Sequence, residues 1–92
     1  LMLELFDKEH SLFLGFRITP SSNQDAYEFT LWHVNLPKPI VFQDVSIFRE
    51  YAELLAISLT SDLSKQFLLG LEESLIACGL WSVYNRSGID LC

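Results

Sequence analysis

The chain has 92 residues, 50% of them hydrophobic and 13% aromatic. It is too apolar to stay disordered and too short for more than one ordinary domain. Twelve acidic against six basic residues give a net charge of −6, which repels phosphate backbones and anionic lipid and argues against direct nucleic-acid or membrane binding.

The expectation is a single compact domain over residues 1–92. No run reaches the roughly 18 apolar residues a membrane-spanning helix needs. The opening LMLELFDKEH lacks a basic leader and a small-residue cleavage site, so no signal peptide is read there. Leu1 reads as a residue ahead of a start at Met2, the alternative being a chain excised from a longer one.

Turn formers and prolines gather at Asp7–His10, Pro20–Asp25 and Asn35–Pro39. The runs between them, Leu1–Phe6, Ser11–Thr19 and Ala26–Val34, suit strands by length and composition. They predict a three-stranded antiparallel meander. With those loops, Leu5 faces Leu12, Leu3 faces Leu14, Arg17 faces Glu28 and Phe13 faces Trp32. The Arg17–Glu28 opposition favours this register, because opposite charges across strands attract. Side chains alternate between faces of a sheet. One face then collects Leu3, Leu5, Leu12, Leu14, Phe16, Ile18, Tyr27, Phe29 and Leu31 as the core face.

After Pro39 the period becomes helical. Val45, Phe48, Tyr51, Ala52, Leu55 and Leu59 form one stripe, with Asp44 as the N-cap. A second helix is predicted from a Ser61 cap to a Gly79 C-cap, with Leu63, Phe67, Leu71, Leu75 and Cys78 on its apolar stripe. Trp81–Tyr84 reads as a short final strand, followed by a turn at Asn85–Gly88 and the tail Ile89–Cys92. The fold class is α+β: a three- to four-stranded antiparallel β-meander with two consecutive helices on one face, in the order β-β-β-α-α-(β).

Catalytic groupings are sparse. His10 falls in a hairpin turn, and His33 reads as a half-buried rim residue near the end of the third strand. Cys78 lies on a buried stripe, where a thiol is inert. Cys78 and Cys92 read as reduced thiols, which suggests a cytoplasmic home. No Cys-x-x-Cys, His-x-x-x-His or His-Glu-x-x-His spacing occurs, so no metal site is expected. Gly15, Gly70, Gly79 and Gly88 are isolated, which leaves no phosphate-cradling loop and no expected cofactor. Leu36-Pro37-Lys38-Pro39 reads as a rigid linker.

The distinctive feature is the other face of the sheet. It carries Met2, Glu4, Phe6, Ser11, Phe13, Gly15, Arg17, Glu28, Thr30, Trp32 and Val34. A water-facing sheet surface is ordinarily polar, whereas this one centres on Phe6, Phe13 and Trp32. Gly15 leaves an open spot near Thr30 and Met2 for a partner's side chain. Phe6, Phe13, Gly15 and Trp32 are therefore the candidate partner-binding residues.

Competing readings have Trp81 and the tail folding over this face, Trp32 merely shielding Gly15, or a homodimer forming there. The leading function is a small acidic protein-binding module of the inhibitor, immunity, antitoxin or secretion-chaperone kind, with a basic protein as partner. A homo-oligomeric structural subunit is the alternative. An enzyme using Asp25, His33 or Arg17 is the third.

Overall fold

The computed structural model describes residues 1–22 and 26–81. Strands β1 (Met2–Asp7), β2 (Leu12–Pro20), β3 (Tyr27–His33) and β4 (Ile40–Phe42) precede helices α1 (Val45–Ala56) and α2 (Ser61–Ala77). The strands form one antiparallel sheet in the order β1-β2-β3-β4. This is the α+β meander with two following helices that the hydrophobic pattern predicts.

Both registers differ from expectation by two residues. Phe6 pairs with Phe13, Leu5 with Leu14 and Leu3 with Phe16; Gly15 pairs with Trp32 and Thr19 with Glu28. The cause lies in the turns. Asp7 completes β1 instead of opening the loop, and its carboxylate accepts hydrogen bonds from the backbone N–H and the ring of His10. Ser11, at φ 52°, closes the turn with a bond from its N–H to the Lys8 carbonyl. In the second hairpin, Pro20 pairs with Tyr27 and the Ser21 N–H donates to the Ala26 carbonyl.

An even slip preserves the faces. Every residue assigned to the core face is buried there or packed against the core. The slip does dissolve the expected Arg17–Glu28 pair: Arg17 lies between Met2 and Thr30, and Glu28 accepts from the Gln43 side chain at 3.3 Å.

The fourth strand is also a correction. It is Ile40–Phe42, directly after the proline segment, and Trp81 is not in a strand. Residues 82–84, the 85–88 turn and the 89–92 tail lie outside the described residues.

Asp44 caps α1 as expected, accepting from the N–H groups of Ser46 and Ile47 at 2.7 and 3.1 Å. The helix stops at Ala56, short of Leu59, as three successive i→i−3 bonds tighten its end. Thr60, rather than Ser61, caps α2, because its hydroxyl is the one that accepts from the Leu63 N–H. At the far end Cys78 is the C-cap and Gly79 follows at φ 74°. The Leu80 N–H reaches back to the Leu75 carbonyl at 2.8 Å and the Gly79 N–H to Ile76 at 2.9 Å, which is a Schellman motif.

Helix α2 lies over β1, and α1 over β3 and β4. Between helices and sheet, Phe48 meets Phe16, Phe29 and Phe42, while Phe67 packs edge-on against Phe16. Trp81 packs against this same core, with the Arg49 guanidinium 3.7 Å from its ring centroid. It therefore lies on the helix side and does not cover the outer face.

Candidate functional site

On the outer face, three residues form a row across three strands: Glu4 on β1, Gly15 on β2 and Trp32 on β3. The Trp32 indole lies over Gly15. A Cβ at position 15 would come within 2.5 Å of the indole Nε1. That nitrogen donates to the Glu4 carboxylate at 2.6 Å. The open spot expected above Gly15 is thus filled by the chain's own tryptophan, and Gly15 is buried.

The next row holds Phe6 and Phe13 as direct cross-strand partners, and the Val34 N–H extends the β2–β3 ladder to the Phe13 carbonyl. Phe6 is 61% exposed, and Phe13 is half-buried. Beyond Trp32 runs a row of Met2, Arg17, Thr30 and Val41, whose ends, Met2 and Val41, are exposed. The structure therefore brings Phe6, Phe13 and Trp32 together on one face. It separates Gly15 from them as the floor beneath Trp32.

Apolar exposure is not confined to the sheet. Ile47 and Leu54 on α1, and Leu69 and Ile76 on α2, face solvent, as does Ile57 at the end of α1. Each pair is seven residues apart, which places it on one side of its helix. That spacing is legible in the chain beside the buried stripe of each helix.

Two histidines acquire partners that residue spacing does not reveal. His33 is 3% exposed, deeper than a half-buried rim residue. Its Nδ1 accepts the Asn35 N–H at 3.0 Å and its Nε2 lies 2.8 Å from the Ser58 hydroxyl. Because Nδ1 is the acceptor, Nε2 carries the proton and donates to Ser58, whose hydroxyl in turn donates to the Leu55 carbonyl at 2.7 Å. Burial pushes the pKa of His33 below its usual value.

His10 is the opposite case. Its Nδ1 lies 2.7 Å from the Asp7 carboxylate. The Asp7 hydrogen bond, reinforced by the charge, raises the pKa of His10, and the same bond lowers that of Asp7. Asp7, Glu9 and His10 each offer one ligand atom, all within 4.8 Å of one another. The Asp-x-Glu-His order in a turn was the only sequence signal of this grouping.

Cys78 is a free, half-buried thiol at the end of α2, with neither histidine bonded to it. Asp25 lies outside the described residues. Arg17 and His33 are on opposite faces of the sheet and do not form a joint site. Among the described residues no helix is long and apolar enough to cross a membrane. No family model matches the chain, and neither the curated proteins nor the solved structures contain a significant match to it.

Proposed function

We propose that this chain is a small, non-catalytic protein-binding module, of the inhibitor or adaptor kind, that receives a basic partner protein on the outer face of its sheet. The observation that carries the reading is the exposed Phe6 paired directly with Phe13, away from both helices. Aromatic residues on a surface with a polar rim are favoured interface anchors. Trp32, held by Glu4, supplies a preset wall beside them rather than a mobile side chain. A fixed anchor loses less rotamer freedom on association.

The net charge of −6 favours a basic partner and acts mainly on the association rate. The same proposal places the chain in the cytoplasm, where Cys78 remains a thiol. The test is a Phe6→Ser, Phe13→Asp double variant. It is expected to keep the wild-type melting curve and to lose a partner that the wild type captures from lysate. A variant that turns a sedimenting dimer into a folded monomer would assign the face to a second copy of the chain. Unchanged capture would remove the face from consideration.

A further inference from the structure

We propose that the edge of β1, which no strand pairs among the described residues, together with the groove between it and α2, takes an extended basic and apolar segment of a partner protein as a fifth strand, antiparallel to β1. This goes beyond the outer-face reading, because it uses edge backbone and the helix-side groove rather than Phe13 or Trp32.

The first ground is backbone accounting. Leu1 and Ile18 exchange both of their backbone hydrogen bonds, at 3.2 and 2.8 Å. Bonded and non-bonded pairs alternate in an antiparallel ladder. The N–H and C=O groups of Leu3 and Leu5 therefore turn toward β2, and those of Met2, Glu4 and Phe6 turn outward from the sheet edge. Such an edge recruits another strand unless it is shortened, bulged or blocked by proline or lysine. The two edges of this sheet differ in that respect. β4 has three residues and follows Pro37-Lys38-Pro39, whereas β1 has six and contains neither residue type.

The second ground is the groove. It has a volume of about 310 Å³, with Gly70, Ser74 and Ala77 of α2 on one side and Leu1 and Leu3 on the other. In an added antiparallel strand, residues bonded to β1 stand beside Met2, Glu4 and Phe6 on the outer face. The alternate residues point to the helix side, where the groove accepts apolar side chains.

Charge selects the occupant. Glu73 lines the groove and has no hydrogen-bond or ion-pair partner among the described residues. Glu4 stands in the middle of the strand on the other face. Lysines at the bonded positions stand beside Glu4, and Glu73 at the groove adds negative charge nearby, whereas a second copy would bring its own net charge of −6 to the same edge.

The test uses a fluorescent heptapeptide of alternating lysine and valine, titrated into the full chain and followed by anisotropy. Saturable binding is expected. N-methylation of the lysine nitrogens, which face β1, should weaken it by at least about tenfold; N-methylation of the valine nitrogens, which face away, should leave it nearly unchanged. Glu4→Gln, which removes the charge beside the lysines, should weaken binding several-fold, and Leu54→Ser on α1 should leave it unchanged. Equal responses to the two methylation patterns would overturn the proposal, as would no saturation up to about 1 mM peptide. A chain that sediments as a dimer and excludes the peptide would assign the edge to a second copy, and would overturn it too.

Discussion

The Trp32 indole occupies the space that any side chain at position 15 would need, and its Nε1 reaches across β2 to Glu4 on β1. One hydrogen bond thus links the first and third strands over a glycine. Gly15→Ala is expected to expel the indole and break that bond, because the new Cβ would meet it at 2.5 Å. The expected cost is about 1–3 kcal/mol, in the range of overpacking substitutions. Tryptophan emission in a Trp81→Phe background should shift to the red. An unshifted emission would show that the ring can yield without leaving its site.

Acid should loosen the junction between β3 and the end of α1. Protonating His33 places a donor at Nδ1 against the Asn35 N–H, which already donates there. The folded-state pKa is lowered by burial, so the unfolded chain binds the proton first. The contribution of His33 is fully present above its unfolded value of about 6.5 and is lost as pH falls through the folded value. An NMR titration should place His33 below the free imidazole, and unfolding midpoints should fall on the acid side.

His10 should behave in the opposite sense. Its raised pKa means that its contribution is full below about 6.5 and fades as pH rises through the folded value. The lowered pKa of Asp7 adds stability above about 3.8, lost as pH falls through its folded value. The pair therefore supports the first hairpin best in the mildly acidic window between those limits. Asp7→Asn should bring the His10 titration back toward the free value and remove that window. An unmoved His10 titration would show that Asp7 does not control it.

The aromatic cluster should dominate stability. Phe48 is fully buried and meets three other rings. Phe48→Ala should cost about 3–5 kcal/mol by denaturant unfolding. Asp44→Ala should cost only about 1 kcal/mol, the usual worth of an N-cap. A similar cost for both would mean that the cavity at position 48 collapses.

Face assignment was legible because period-two alternation is insensitive to even slips: Leu14, Phe16 and Ile18 are inside in either register. Register was not, because it depends on whether Asp7 ends a strand or starts a turn, and that is decided by its bonds to His10. The Arg17–Glu28 opposition was a weak guide, since an exposed cross-strand pair is worth no more than about 1 kcal/mol. Ile40–Phe42 was not legible as a strand, because three residues after a proline segment carry no period of their own. At the candidate site, Phe6 and Phe13 followed from parity alone. Trp32 shielding Gly15 was one of the readings the sequence left open, and the rotamer of Trp32 with its bond to Glu4 decides for it over an open spot.

The unlike edges of the sheet also bear on how the molecule can assemble. A sheet able to pair at both ends can add copies head to tail without limit, which is the geometry of a fibre. Here one end is short and follows Pro37-Lys38-Pro39. A copy meeting another through β1 would use up the one receptive edge on each side, giving a closed twofold pair. If β1 pairs as proposed, the proline segment acts as a chain terminator, and one strand edge stays available for pairing without propagation into a filament.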